Sequence, residues 1–354
     1  MSDTREYQEL VHMNRVTKKD VWVAFLLNNA KNLGYEIDPA SRIVPTIFFQ
    51  PHFSAIVYSI DTYENNFAQL ESKEYEKVIH SPFFREFKYI KTFTPLRRST
   101  TSYGGAVRFM LHSENGGVKL AREKIATEQV ILEPGDLLTQ QALNRSFMID
   151  GQERLFKDSI LVRFEDGKLN PKATFTALAE FLDIPYTESL TCCSNYLGID
   201  PETTKGNARG FDPSSVYKKY DEFATDEERA YLEYMLRDAY EYYGYDFHYY
   251  DGQPMTNERL DELFAGFTIL NRFATGLYNP DGTETDEYAA LSEEKREAHR
   301  LRAETLIAGM NDNRRKAVEI LGKDLQFVNK NGQPLRMMPL LKLDPELLET
   351  ELYH

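Results

Sequence analysis

The sequence predicts an α/β fold: a mainly parallel sheet flanked by helices, with an appended C-terminal helical region. Two observations carry this. Short β-branched and aromatic runs alternate with amphipathic stretches across short loops, a pattern that implies right-handed crossovers between parallel strands. Beyond residue 251 the patterns are helical only. At 354 residues one large domain with an appendage is expected, because single cores stop growing at roughly 250–300 residues. The division expected is an N-terminal helical segment (1–40), an α/β domain (41–250) and a C-terminal helical extension (251–354).

In chain order, Thr17 with Asp20 forms a capping-box pattern that opens a helix through Trp22, Phe25, Leu26 and Ala30, stopped at Gly34. Residues 43–49, IVPTIFF, read as a strand covered on both faces. A loop (50–53) and a helical stretch (54–60) follow, and strand, loop, helix is the layout of a phosphate site. Residues 65–98 are charged and aromatic, with Pro82 and Pro95 as breaks, and are expected as a surface excursion. A second strand is expected at 107–111, VRFML, with a turn at 112–117 and a helix through Val118, Leu120, Ala121 and Ile125. A third is expected at 128–132, after which Pro134 starts a helix through Leu137, Leu138, Gln141 and Ala142.

The fourth strand is expected at 160–164. A turn leads to a helix with Phe175, Leu178, Ala179 and Leu182 on one stripe, Pro171 near its start and Pro185 past its end. Residues 226–243 form another helix, with Gly244 as its stop. Amphipathic helices then follow at 258–275, 293–310, 314–321 and 345–352, the last capped by Asp344, with turn-rich connections at 276–282 and 329–334.

A net charge of -14 argues against a general nucleic-acid binder, since phosphate backbones are held by Lys and Arg. The apolar run 21–27 is far shorter than a membrane span. The polar, acidic N-terminus lacks the pattern of a signal peptide, so a cytoplasmic protein is expected. The cysteines Cys192 and Cys193 are adjacent, which suggests neither a disulfide framework nor a metal site, and the histidines show no metal-ligand spacing.

Residues 160–186 resemble the sulfotransferase family. Arg163, Phe164, Glu165 and Asp166 resemble its Arg-Tyr-Glu-Asp motif, and Phe181, Leu182, Asp183, Ile184 and Pro185 its Phe-Leu-Gly-Ile-Pro. Arg209 with Gly210, and Gly244 with Tyr245, resemble later family motifs. The resemblance implies a P-loop-like α/β fold that takes 3′-phosphoadenosine 5′-phosphosulfate and passes its sulfuryl group to a hydroxyl-bearing acceptor. On it, His52 and Ser54 stand at the phosphosulfate loop, Leu132 to Asp136 replace the arginines that hold the 3′-phosphate, and His112 falls at the position of the base. A second cradle, Arg97, Arg98, Ser99, Thr100 and Thr101, combines charge with hydroxyls and resembles the phosphate loop itself.

Because the donor motifs depart from the family's, a second function is expected alongside: a non-catalytic structural or assembly subunit on the same fold, within a large complex or viral particle. Partner or homo-oligomer contacts are then expected on the C-terminal helices.

Overall fold

The computed structural model describes residues 91–112, 137–143, 148, 158–191, 213–263, 276–279, 282–321 and 336–349. Over these the chain is a mixed α/β protein, mostly helical, with a small parallel two-stranded sheet. The expected strands at 43–49 and 128–132, the N-terminal helix, the helix at 118–125 and residues His52, Ser54, Cys192, Cys193 and Arg209 lie outside the described residues.

The sheet pairs β1 (Lys91–Leu96) with β2 (Asp158–Arg163) in register from Lys91 with Asp158 to Leu96 with Arg163. The first of these strands falls where a surface excursion is expected. Pro95 and the charged surroundings disguise it, but Thr92, Phe93 and Thr94 are good strand residues, and pairing with β2 decides the outcome. Thr92 Oγ1 donates across the pair to Ser159 Oγ at 2.8 Å.

After β1 the chain turns at Arg97 and Arg98 into α1 (Ser99–His112). This corrects the expected strand at 107–111, VRFML, which is the second half of that helix. A short apolar run has no periodicity that separates a strand from a buried helix. Gly104 lies mid-helix for a reason of space: a Cβ there would sit 2.7 Å from Tyr220 Cβ.

Next come α2 (Leu137–Leu143), β2, and a six-residue helix α3 (Phe164–Leu169) in place of the expected turn. Helix α4 (Pro171–Leu182) begins with proline at its first position. It ends at Asp183, left-handed at φ 56°, with the Ile184 N–H returning to Ala179 O (3.0 Å). Lys91 Nζ adds a cation at that C-terminus, 2.7 Å from Asp183 Oδ2.

The predicted helix 226–243 is two helices, α5 (Asp226–Met235) and α6 (Arg237–Tyr243), joined at Leu236. Thr225 and Glu228 close a capping box at the start of α5, and Gly244, at φ 69°, closes α6. Helices α7 (Asn257–Leu263), α8 (Asp286–Ala289) and the 29-residue α9 (Glu293–Leu321) follow. The two helices expected within 293–321 are thus one. Asp344 caps a single 3-10 turn at Pro345–Leu347. Among the described residues no helix is long and apolar enough to cross a membrane.

Side chains of β2 alternate between two cores. Ile160 and Val162 pack with Leu178, Phe175 and Phe181 of α4, whereas Leu161 packs with Leu96 and with Leu236, Ala239 and Tyr240 at α6. The C-terminal residues share these cores, which differs from the expected appendage. Met338 joins the Leu161 side and Leu341 the Ile160 side. The backbone does the same: Leu161 N–H donates to Pro339 O and Leu341 N–H to Leu161 O, both at 2.8 Å, so β2 is bonded on both edges. Further back, Ala317 and Val318 of α9 pack with Tyr103, Val107, Leu138 and Tyr231.

Removing residues 293–354 therefore strips apolar groups from these three cores and takes Ala303 from its cluster with Leu277 and Tyr288. Losing one large core side chain costs about 2–5 kcal/mol, against a total stability of roughly 5–15 kcal/mol. The truncated chain is expected to lose its cooperative thermal transition in calorimetry. A cooperative melt at an unchanged temperature would contradict this packing.

Candidate functional site

The polar groups of the sheet converge at the carboxyl ends of β1 and β2, where ligands bind in open α/β sheets. Arg163, the last residue of β2, is buried with Glu165 and Asp166. Its Nε donates to Asp166 Oδ2 (2.9 Å), and its Nη1 donates to the carbonyls of Tyr243 (3.2 Å) and Gly244 (3.3 Å). A cation thus closes the C-terminus of α6, where the helix leaves carbonyls without intrahelical donors.

The turn Arg97–Thr101 lies directly in front of this junction. Arg98 N–H donates to Glu165 Oε1 (3.0 Å), and Arg98 Nη1 reaches back to Asp246 O (2.6 Å). The Arg98 guanidinium lies over the rings of Tyr245 (5.2 Å) and Tyr240 (5.8 Å). Tyr245 donates its hydroxyl to Glu165 Oε2 (3.0 Å). Ser99 Oγ and Tyr240 Oη are 2.7 Å apart.

Arg97 faces the other way. It is half-buried, stacks over the Phe164 ring at 4.5 Å and donates from Nη2 to Ser215 O at 3.1 Å. Its Nε is buried and meets no acceptor among the described residues. The Arg98 carbonyl accepts from Ser102 N–H (2.9 Å), so helix α1 starts at Ser99. The amides of Ser99, Thr100 and Thr101 have no acceptor within the helix.

Comparison with protein-family models, with curated proteins and with solved structures gives no match to this chain.

Of the residues expected from the sequence, the structure brings Arg97, Arg98, Ser99 and Thr100 together at a strand-to-helix turn. His112 is corrected: it is the last residue of α1, not the end of a strand, and stands roughly 20 Å along the helix axis from the turn at 1.5 Å per residue. His248 follows closely on the Asp246 carbonyl that holds Arg98. Burial and then the Arg98 charge push its imidazole below the ordinary value. Neither His248 nor Tyr240 stands out in the sequence, because both lie in a tyrosine-rich stretch that reads as core. No group of three or more His, Cys, Asp or Glu arranged for a metal occurs among the described residues.

Burial, aided by the Glu233 charge, pushes the Tyr240 phenol from 10.0 up to about 12 against the pull of Ser99, Arg98 and Thr100. Burial followed by Glu165 pushes Tyr245 well up too. A proton held more tightly in the folded state makes stability complete below the unfolded value and lost as pH rises toward the folded one. For Tyr240 that window runs from 10.0 to about 12, and a shift of this size is worth on the order of 2 kcal/mol. Denaturant titrations are expected to show Tyr240→Phe flattening the alkaline loss of stability. A curve with the wild-type slope would contradict the assignment.

Proposed function

We propose that the chain is a sulfotransferase-like protein that holds the phosphosulfate end of 3′-phosphoadenosine 5′-phosphosulfate at the Arg97–Thr101 turn and passes the sulfuryl group to a hydroxyl-bearing acceptor. The observation that carries the reading is the layout of the turn. It joins the carboxyl end of a parallel strand to a helix N-terminus, where backbone amides and the helix dipole favour an anion. The strand expected directly behind it, at 107–111, is instead the second half of α1.

The residues present suit an anion. Arg97 brings a positive charge to the turn, anchored by its Nη2 on Ser215 O, and the first amides of α1 bring donors. The donor supplies an activated sulfuryl group: its S–O bond to the nucleotide phosphate breaks as an S–O bond to the acceptor oxygen forms. The acceptor's proton needs a base, a role this reading gives to His248, two residues past the Asp246 carbonyl that holds Arg98, with its imidazole pushed down by burial and the Arg98 charge.

A second reading, a non-catalytic subunit on the same scaffold, is favoured by how far the turn is engaged internally. Ser99 contacts Tyr240, and the Arg98 amide belongs to Glu165. In sequence, Leu132 and Glu133 stand where the family carries arginine and aspartate, which removes the bidentate contact to a 3′-phosphate.

Calorimetric titration with adenosine 3′,5′-bisphosphate separates the two. Wild-type protein is expected to bind and to melt at a higher temperature by mass action, and Arg97→Ala to bind about tenfold more weakly through loss of a charge-assisted contact. No heat and no thermal shift with millimolar nucleotide would overturn the transfer reading. Self-association in light scattering would then favour the subunit.

A further inference from the structure

We infer that Glu165 is the positioning residue of the Arg97–Thr101 turn: its carboxylate, held by Tyr245, fixes the Arg98 peptide and so sets the direction in which the first amides of α1 face. The inference rests on the anion-binding reading of that turn.

Glu165 is 3% exposed and both its oxygens are engaged. Oε1 accepts the Arg98 N–H and Oε2 the Tyr245 hydroxyl, each at 3.0 Å. That hydroxyl also lies 3.4 Å from Leu96 O, the last carbonyl of β1. With both oxygens accepting, the carboxylate cannot rotate without breaking a buried hydrogen bond.

Arg98 is the residue at which extended chain becomes helix. Its N–H is tied to Glu165 and its carbonyl accepts from Ser102 N–H, so both of its backbone polar groups are held. The amides that follow are then ordered before any ligand arrives, which spares a ligand the cost of ordering them. A carboxylate behind an anion site opposes the anion, but two cations flank this one: Arg98 and Arg163 lie over the Tyr245 ring at 5.2 and 6.0 Å.

The test uses full-length wild type, Glu165→Gln and Glu165→Ala, with amide hydrogen exchange read at Arg98 and calorimetric titration with adenosine 3′,5′-bisphosphate. Glutamine keeps an acceptor for the Arg98 N–H and is expected to preserve both its protection and the affinity. Alanine is expected to lose the protection and weaken binding about tenfold, the scale of an oriented hydrogen-bonding group. Equal dissociation constants in all three, with only melting temperatures lowered, would mark Glu165 as structural and overturn the inference. Should the wild type bind no nucleotide, the anion reading falls, and exchange alone judges Glu165. Protection lost in alanine and kept in glutamine supports the role. An Arg98 amide that exchanges freely in the wild type overturns it, including where the alanine variant does not fold.

Discussion

The buried contact between Arg163 and Asp166 is the constraint on which the rest of the described architecture hangs. A guanidinium and a carboxylate are removed from water at the end of β2, and each would cost several kcal/mol if left alone. The cost is met locally: Asp166 accepts a hydrogen bond from Nε, and the carbonyls of Tyr243 and Gly244 accept from Nη1. Meeting it obliges α6 to end at that point. Gly244 supplies the left-handed turn, which in turn delivers Tyr245 to Glu165 and Asp246 to Arg98. One ion pair thereby sets the strand end, the helix end and the turn in front of them.

The same junction explains why the layers cannot be separated by position in the chain. β2 carries Leu161 toward α6 and Ile160 and Val162 toward α4, and residues from the far C-terminus complete both sides. Asn170 Oδ1, just before α4, accepts the backbone N–H of Glu349 at 2.9 Å. Contacts spanning half the chain thus hold the elements that position the Arg97 turn.

Much of this was legible in the sequence where signals are local. Residues 160–186 declare themselves through a continuous apolar strand, a proline at the first position of α4 and a second proline beyond its end. Gly244 is equally plain as a helix stop. What could not be read depends on partners distant in sequence. β1 contains Pro95 and looks like a broken surface segment until β2 is beside it. The VRFML run reads as a strand until it is seen to continue one helix, whose Gly104 packs against Tyr220. These two misreadings set the Arg97–Thr101 cradle between a surface excursion and a strand, whereas it joins a strand to a helix. Glu165 was recognisable as part of a motif, yet its partner Tyr245 lies 80 residues away, beyond the reach of any local pattern.

A double-mutant cycle on Arg163→Met and Asp166→Leu, followed by equilibrium denaturation, bears most directly on the junction. Each single substitution leaves a buried charge alone and is expected to cost about 3–5 kcal/mol. The double variant is expected to cost less than the sum, with a coupling of about 2 kcal/mol or more, as directly interacting residues show. Additive losses of under about 1 kcal/mol each, the behaviour of a solvent-exposed pair, would contradict the account.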